Sequence, residues 1–593
     1  MRHIKSALVL HNIAFILSAI LLFILTKAFI TTDLSFENIF LFSSSIQPLI
    51  YKIGALWSSN QGSLFFFFFL CFANNFIYIN YLGKKICNTQ ELLIILSVST
   101  IFCLILASNL YFFSNPFLPM KSKVSQGLGL NPLLQDIALV IHPPILYLGY
   151  ITLFTPFVLG ILSLKYPQNT RKYLPHILLY SRISWLALTI GISLGSWWAY
   201  RELGWGGYWF FDPVENASLL PWLIVTPLYH MCKRGVKLEH HHRMTIILSI
   251  LGFIIVLIST MLVRSGWLIS VHSFAQNKYA SIYLLASFTV FICPCLYFLL
   301  SKIRFVNSNS ISLSKPDKLV YTANILFSTS AVIILLSLIA PPLLEYYFNQ
   351  QLTIEPRFFI YSLVPIFLVL AAMMTYLWFP YGIYKILPIT IFVTFLACYL
   401  QTIYHLNFIA VLASLISICL LITSLLKFIY LTANAKLTIS KSSMIFGHSG
   451  YAMLILAICL NNLLHREFDF FGKIGEIKYF DNVEIKLQNV RYKEQNNYYQ
   501  HIADFWVKFP DANEVIISPE NRFYKIEQSL AAEVAIKHFY LYDLYVVLSG
   551  SREDNIEAKF YIKPLMLLLW LSCGTISIAI ALSFISKRNP KAS

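Results

Sequence analysis

Charged residues are scarce in this chain: Asp, Glu, Lys and Arg make up only 12% of its 593 residues. Soluble domains carry about 25% charged residues, so a soluble enzyme is excluded. The 58% of hydrophobic residues and the mean hydropathy of +0.68 are typical of a polytopic membrane protein. The net charge of +17 does not indicate nucleic-acid binding, because Lys and Arg cluster in short loops between apolar runs.

Cysteine motifs are also missing, and the first apolar run is not expected to be a cleavable leader. None of the ten Cys residues forms a CxxC or CxxCH motif, and Cys293 and Cys295 have the wrong spacing. This excludes a thioredoxin-type redox pair and a haem attached covalently to this chain. The first apolar run, 7–30, is too long for a signal-peptide core and lacks a clear small-residue cleavage site, so we expect a retained span.

Apolar runs long enough to cross a bilayer recur along the chain. They predict about 14 transmembrane helices and an all-α polytopic membrane fold. The segment 39–57 is apolar but holds Lys52, so a span, a re-entrant piece and an interfacial helix all stay open for it. The 14 runs are 7–30, 62–82, 91–114, 138–164, 174–196, 218–232, 244–262, 280–301, 319–343, 357–378, 385–403, 407–427, 443–462 and 563–585.

The basic residues predict the orientation of these helices. Every second connection is basic, which places it in the cytoplasm. The N-terminus, with Arg2 and Lys5, is cytoplasmic if 39–57 does not cross. The basic segments are 83–90, 165–173, 232–243, 302–318, 427–441 and the tail 587–591. The segments that then face outward are 115–137, 197–217, 263–279, 344–356 and 463–562.

Three regions follow from this pattern. Residues 1–462 form the transmembrane helical core, 463–562 a soluble outer domain of about 100 residues, and 563–593 the last helix and a short basic tail. Alternation in 483–492 and the run 540–548 predict strands in the outer domain, so we expect it to be β-rich. Residues 531–539 are a candidate for a short helix in it.

An aromatic stretch near the middle of the chain cannot be a transmembrane helix. Residues 197–222 read WWAYRELGWGGYWFFDPVENASLLPW, in which Arg201, Asp212 and Glu215 are charged and Pro213 would break a helix. Rigid rings on a glycine-rich backbone suit a large, flat, apolar ligand. The alternative is an aromatic belt at the headgroups, but belts do not need glycines and paired acids between the rings.

Four histidines are candidates for iron ligands because of their depth. His142 and His272 lie on the outer side, before and after the aromatic stretch, whereas His230 and His448 lie near the inner ends of their spans. Two helices at equal depth can each present one imidazole to a haem between them. The alternative for each is a polar residue hydrogen-bonded between helices. For the triplet His240–His242, a solvated basic loop is the expectation.

Polar residues near the outer face have two interpretations each. Asn216 is a candidate cap for the helix that follows Glu215, and ligand binding is its alternative. Arg201 and Arg264 match the geometry of haem propionates, and they match the neighbouring acids equally well.

Five separated motifs occur in an order that resembles one family. They are GSLFFF at 62–67, LNPLLQDIALVIHPPILYLGY at 130–150, SWWAYRELGWGGYWFFDPVENASLLPW at 196–222, TMLVRSGWLISVHSF at 260–274 and AAEVAIKHFYLYDLYVVL at 531–548. Together they resemble the CcmF family of haem-handling WWD-domain proteins in cytochrome c maturation. The likeness covers nearly the whole chain.

The resemblance implies a cytochrome c haem lyase of the bacterial inner membrane, or alternatively the mitochondrial one. It implies that His142 and His272 hold the haem to be attached, and that His230 and His448 ligate a resident haem b. It also implies as partners the haem chaperone CcmE, CcmH, CcmI, apocytochrome c and a quinol as electron donor. The residues implied to contact haem besides these histidines are Trp197, Trp198, Trp205, Tyr208, Trp209, Phe211 and Asp212.

This chain departs from the family pattern at Tyr208 and Phe211, where the family has tryptophans, and at Gln61, where it has an acid. Rings are kept at the first two positions, so a flat apolar surface is still expected. Two other functions stay open, a haem transporter and a quinol-linked electron-transfer subunit. The scarcity of charged groups in the spans and the one-sided aromatic stretch disfavour transport.

Overall fold

The protein is a multi-pass membrane protein of mostly helical architecture with a β-rich domain near the C-terminus. The computed structural model describes residues 2–270, 272, 277–306, 313–350, 352–378, 395–396, 399, 407–510, 514–552 and 555–585. These residues form two compact units. Unit 1 comprises Met1–Gly127, Val140–Ile192 and Phe210–Ile366, and unit 2 comprises Leu128–Leu139, Ser193–Trp209 and Phe367–Ser593.

The helices follow the predicted apolar runs closely. Their bounds are α1 Arg2–Thr31, α2 Glu37–Phe42, α3 Leu49–Ser58, α4 Asn60–Ile77, α5 Thr89–Phe112, α6 Ile137–Thr152, α7 Phe154–Lys165, α8 Thr170–Glu202, α9 Pro213–Gly235, α10 His242–Arg264, α11 Lys278–Lys302, α12 Lys315–Phe348, α13 Pro356–Trp378, α14 Phe408–Ala433, α15 Ile439–Leu464 and α16 Met566–Ile585.

Within the described residues, 12 helical segments are long and apolar enough to cross a membrane, against about 14 predicted. Helix α9 covers the predicted run 218–232 but is not among the 12, because Glu215, Lys233, Arg234 and three prolines make it more polar. The predicted run 385–403 lies almost wholly outside the described residues, as does the basic tail 587–591.

The undecided segment 39–57 does not form a spanning helix. It is divided between α2, of six residues, and α3, of ten, whereas a bilayer requires about 20. The charged group of Lys52 bonds to the Thr32 hydroxyl at 2.7 Å. Because the segment does not cross, the charge pattern predicts a cytoplasmic N-terminus.

Phenylalanine rings form the centre of unit 1. Phe102 of α5, Phe154 and Phe157 of α7 and Phe253 of α10 are fully buried, with neighbouring ring centroids 5.1–6.0 Å apart. Large rings bury much apolar area at little entropic cost, so this cluster holds α5, α7 and α10 together.

The β-rich domain is a sandwich of two antiparallel sheets within unit 2. One sheet has the order β1-β10-β9-β8; the other has the order β2-β3-β4-β6-β7, with β5 also paired to β4. Buried side chains from both sheets fill the space between them. The strands are β1 Arg466–Gly472, β2 Ile477–Phe480, β3 Val483–Glu494, β4 Tyr498–Lys508, β5 Glu514–Ile517, β6 Glu520–Tyr524, β7 Ser529–Glu533, β8 Ala535–His538, β9 Tyr542–Arg552 and β10 Asn555–Pro564.

The strands predicted at 483–492 and 540–548 are confirmed as β3 and β9, but the short helix predicted at 531–539 is wrong. That segment forms the end of β7 and all of β8. Residues 529–533 pair with β6, and 535–538 pair with β9. Sheet pairing therefore overrides the local helix preference of its alanines.

Helices α15 and α16 lead into and out of the sandwich and pack closely on each other. A Cβ atom added at Gly450 of α15 would lie 3.0 Å from the backbone nitrogen of Ile576 in α16. The Ser443 hydroxyl donates to the Ala579 carbonyl at 2.7 Å. Small residues allow this approach, as is common between membrane helices.

Candidate functional site

His142 lies on α6 beside a close crossing with α8. A Cβ at Gly149 would come within 2.7 Å of the Leu188 side chain, and one at Gly191 within 3.1 Å of the Cα of Leu146. The approach brings the Gly191 carbonyl to 2.6 Å from Nδ1 of His142. A carbonyl only accepts, so Nδ1 carries the proton and the lone pair lies on Nε2, which can ligate a metal.

His272 lies in the segment between α10 and α11, and its ring faces a carboxylate. Its Nδ1 is 3.2 Å from Oδ1 of Asp212, the residue that precedes α9. The Ser270 hydroxyl donates to the same Oδ1 and accepts the backbone N–H of His272 at 3.0 Å. The carboxylate therefore orients the ring with Nε2 opposite, as in carboxylate–histidine–metal arrangements.

Asp212 is charged in this setting. Burial alone would raise the pKa of Asp212, but hydrogen bonds from His272 and Ser270 and from the Val214 N–H lower it below its usual value. Asp212 also caps α9 by accepting the Val214 N–H at 2.9 Å. Pro213 at the first helical position fixes where α9 begins.

The expectation that Asn216 caps this helix is wrong. Asp212 and Glu215 form a capping box, in which Glu215 accepts the N–H of Asp212 at 3.1 Å and that of Phe210 at 2.9 Å. Asn216 lies inside the first turn and donates its amide to the Phe211 carbonyl at 2.8 Å. Burial raises the pKa of Glu215 to about 7.

Phe211 takes a left-handed backbone conformation, with φ of 55°. Such a conformation costs a non-glycine residue about 1–3 kcal/mol, so the surrounding structure must impose it. Its ring stacks on Phe359 of α13 at 4.8 Å between centroids and 6° between planes. The stacked ring and the bond from Asn216 hold the turn that sets Asp212 against His272.

Unit 1 brings together the two histidines that the sequence predicts to lie on the outer side. His142 and His272 are close enough to interact electrostatically, although 130 residues separate them in the sequence. They lie before and after the turn at Phe211–Asp212 in the chain. The sequence-based expectation that both lie on one side is consistent with this proximity.

Arg201 and Arg264 are engaged by protein groups. In unit 2, Arg201 pairs with Asp136 at 2.9 Å and lies over the Trp197 ring at 4.9 Å. In unit 1, Arg264 is buried and donates to the side-chain oxygen of Asn60 at 2.8 Å. Of the two interpretations, pairing with a neighbouring acid therefore holds for Arg201.

The aromatic residues of the stretch differ in exposure. Trp205 is 45% exposed, while Trp197, Tyr208 and Trp209 are half-buried. Trp198 is only 2% exposed, and its indole N–H donates to the Leu133 carbonyl at 3.0 Å. The structure thus gives Trp198 a packing role in unit 2, and its predicted contact with haem stays a prediction.

His230 lies in the last third of α9, in unit 1. Its Nδ1 is 2.8 Å from the carbonyl of Thr226, four residues earlier on the same helix. The proton is again on Nδ1 and the lone pair on Nε2. The rings of Tyr229 and Trp185 lie edge-on to the imidazole, at 5.1 and 5.8 Å between centroids.

His448 lies on α15, in unit 2, ten residues from the Thr438 cap at the basic end of that helix. The ring of Trp378, which is buried at the end of α13, lies edge-on to it at 5.6 Å. Each membrane histidine thus has an indole beside it. That the two share one iron stays a prediction.

Comparison with known proteins agrees with these features. The family model "Cytochrome C assembly protein" matches residues 57–272, and "CcmF C-terminal beta-sandwich" matches residues 464–564. The cytochrome c-type biogenesis protein CcmF of Haemophilus influenzae is 30% identical over 568 residues, covering 92% of this chain and 87% of that protein. The chain belongs to the CcmF family.

Other members of the CcmF family are similarly related. The protein of that name from Escherichia coli is 28% identical, over 92% of this chain and 86% of its own length. The solved structure called "Cytochrome c Heme Lyase CcmF" is 17% identical and superposes with a TM-score of 0.78, covering 98% of this chain and 92% of that one. At this identity the likeness shows the fold.

Several groups at the site of this CcmF-family chain were missed from the sequence. The Gly191 carbonyl leaves no side-chain signal. Ser270 does: a serine two residues before a histidine can accept that histidine's N–H. Asp212, Pro213 and Glu215 form a D-P-x-E pattern, which is typical of a capping box. The capping role of Asp212 could therefore have been predicted from the sequence.

Proposed function

We propose that this chain is a cytochrome c haem lyase that acts on the outer face of the bacterial inner membrane. The observation that carries the proposal is the common orientation of His142 and His272. Nδ1 of His142 bonds to the Gly191 carbonyl and Nδ1 of His272 lies 3.2 Å from the Asp212 carboxylate, so each ring can offer Nε2 to iron. The substrate is a haem held between these two imidazoles.

The aromatic stretch supplies the apolar surface for the porphyrin in this proposal. Trp197, Trp205, Tyr208, Trp209 and Phe211 offer rings whose faces suit a flat conjugated ligand. Trp209 is three residues before Asp212 in the chain. The aromatic stretch therefore leads directly into the turn at Phe211–Asp212, which faces His272.

The reaction is an addition. The two cysteine thiols of a CxxCH segment of apocytochrome c add across the two haem vinyl groups. Each new C–S bond forms as the thiol proton goes to the other vinyl carbon, so no net oxidation takes place. The histidine of CxxCH then replaces one of the two protein imidazoles. Holding both reactants in place supplies much of the rate.

His230 and His448 are proposed to hold a resident haem b. His230 fits, because a neutral imidazole with its Nδ1–H bonded to a carbonyl is a good iron ligand, and an indole lies beside both His230 and His448. Bound there, haem b would supply single electrons that keep the substrate iron ferrous, with a quinol as the proposed source.

The partners proposed for the chain are CcmE as the haem donor, CcmH and CcmI as carriers of the apocytochrome, and apocytochrome c itself. The proposed location is the bacterial inner membrane, and the bacterial origin of the family's relatives supports a bacterial membrane.

A reconstituted system tests the proposal. The purified chain is placed in sealed vesicles with haem-loaded chaperone and a reduced CxxCH peptide outside, and the peptide is analysed by mass spectrometry. Thioether-linked haem supports the lyase. Haem that appears inside the vesicles without a thioether product would indicate transport, and iron reduction alone would indicate electron transfer; either result overturns the proposal. His465→Ala, on an exposed histidine, is the matched control.

A further inference from the structure

Two adjacent histidines at the basic end of α9 lie against the first turn of α12. His240 and His241 belong to a short turn before α10, and Asp317 is in the first turn of α12. Nε2 of His241 is 2.9 Å from Oδ1 of Asp317, and Nε2 of His240 is 3.9 Å from Oδ2. Three potential ligand atoms, one from each residue, lie within 4.8 Å of one another.

The sequence-based expectation of a solvated loop is wrong here. The side chains of His240, His241 and Asp317 are 9%, 0% and 4% exposed. His242 is buried too, with its Nε2 2.9 Å from the Gly235 carbonyl. A chain that only needed a basic surface would not bury three successive imidazoles.

Part of this cluster is buried without compensation. Among the described residues, both ring nitrogens of His240 and Nδ1 of His241 are buried and have no hydrogen-bond partner. Buried polar atoms are nearly always satisfied, so an orphaned set indicates an ion or a water that belongs there. Two imidazole rings with unused nitrogens beside a carboxylate are a ligand set for an ion.

The neighbouring residues hold the rings in place. The hydroxyl of Tyr321, one turn further along α12, donates to the His240 carbonyl at 2.8 Å. The Tyr321 ring stacks on the His241 imidazole, with 5.1 Å between centroids and 18° between planes. Such support is what a metal site requires of the groups around its ligands.

We propose that His240, His241 and Asp317 bind a divalent transition-metal ion of the zinc class on the cytoplasmic side. Two imidazoles and one carboxylate favour zinc over magnesium or calcium, which prefer oxygen ligands. Three protein ligands leave a fourth position for water, as in open tetrahedral sites. The basic composition of segment 232–243 places the site in the cytoplasm.

Arg234 and His241 share one oxygen of the Asp317 carboxylate. Nε of Arg234 donates to Oδ1 of Asp317, the oxygen that also faces His241, while the Ser314 hydroxyl bonds to Oδ2. The Arg234 side chain is 31% exposed and lies in the last turn of α9, so it can turn to solvent. A metal ion and Arg234 therefore compete for one carboxylate.

The competition connects the site to α9. Arg234 follows His230 by four residues on the same helix. Exchange of Arg234 for a metal would remove the Arg234–Asp317 contact between α9 and α12 and strengthen the one between α12 and the turn before α10. The site thus links the last turn of α9, four residues beyond His230, to metal binding.

Zinc binding to the purified full-length chain, with any purification tag removed, tests the inference. Bound zinc is measured by equilibrium dialysis followed by inductively coupled plasma mass spectrometry, which distinguishes zinc from haem iron. We expect one zinc ion per chain. His241→Ala and Asp317→Asn should weaken binding by at least about tenfold, since each removes a ligand. His465→Ala removes an exposed histidine elsewhere and should bind zinc as the wild type does.

Arg234→Gln separates a metal site from a structural cluster. Removal of the competitor should tighten zinc binding several-fold, an effect that loss of packing cannot produce. If Asp317→Asn does not fold, His240→Ala and Arg234→Gln carry the test. A wild type that binds no zinc, histidine variants that match His465→Ala, or an Arg234→Gln chain with unchanged or weaker binding would overturn the proposal.

Discussion

The two outer histidines are held in different ways, although both present Nε2. His142 lies within a helix, at a crossing of α6 and α8 that glycines make close, and a backbone carbonyl fixes its ring. His272 lies in a connection between helices, and its ring faces a side-chain carboxylate with a serine between. The partner of His142 is thus a backbone group of a helix, whereas the partners of His272 are side chains.

Because their partners differ, we expect the two histidines to play different parts in the reaction. A backbone carbonyl inside a packed helix pair moves only if the helices move, whereas a carboxylate and a serine in a connecting segment can rearrange. In the proposed reaction one protein imidazole must give way to the histidine of CxxCH. We expect that this imidazole is His272, while His142 stays bound to the iron.

The largest effect expected is the asymmetry between the two ligand variants. His142→Ala should lower thioether formation by about 100-fold or more, and His272→Ala by about tenfold. The first loss exceeds the roughly 10- to 100-fold range that is typical of residues bonded to a metal ligand. Product is counted by mass spectrometry, and the haemochrome spectrum of the membrane haem serves as the internal control. Equal losses in the two variants would break the comparison.

The helix crossing should be the next most sensitive feature. Gly191→Ala and Gly149→Ala push α6 away from α8 and should lower product about 10- to 100-fold by displacing His142. The matched control is Gly252→Ala in α10, where an added Cβ meets only ordinary contacts at 3.6 Å or more. If the crossing variants perform like that control, the framework does not position His142.

The carboxylate that faces His272 should have a smaller effect. Asp212→Asn keeps an oxygen that can cap α9 but loses the charge, so haem affinity at the outer site should fall about tenfold. Asp33→Asn is the control, because Asp33 also accepts a nearby backbone N–H but is exposed. The fraction of haem that each variant retains on a desalting column measures the difference in affinity from the wild type. Imidazole in the buffer should reduce this difference.

A pH dependence of stability is also expected, and it originates at Glu215, beside the carboxylate that faces His272. Since burial raises the pKa of Glu215 to about 7, the folded state binds this proton more tightly than the unfolded state, whose pKa is near 4.5. Stability should therefore be greatest at low pH and fall as pH rises towards 7, by at most about 1.4 kcal/mol per pH unit. The melting temperature of Glu215→Gln relative to wild type should rise between pH 5 and pH 8. A constant difference would contradict the shift.

The sequence predicted the helical framework well because long apolar runs have few alternatives in a bilayer. It left 39–57 undecided because the segment is mostly apolar, although the polar residues and proline of 43–48 mark the break between α2 and α3. The segment 531–539 is rich in alanine, yet residues 520–522 and 543–546 lie in strands that pair with it. Such pairings are set by the tertiary fold and are not encoded in the segment.

The site followed the same division. The histidines and the aromatic stretch were identifiable because ionisable and ring-rich segments are unusual among apolar runs. The partner of His142 is a carbonyl on a helix 49 residues away, and Asp317 is 76 residues from His241. Neither partner has a local signature that names its histidine.

The attachment of the β-sandwich has a mechanical consequence. The chain enters through β1 and leaves through β10, which are neighbours in one sheet, and Asn461 at the end of α15 donates to the Pro564 carbonyl at 2.8 Å. A domain on one flexible linker would swivel, but two side-by-side connections and this bond prevent rotation about either. A force applied to the sandwich by a bound protein would therefore be transmitted to α15, the helix that carries His448.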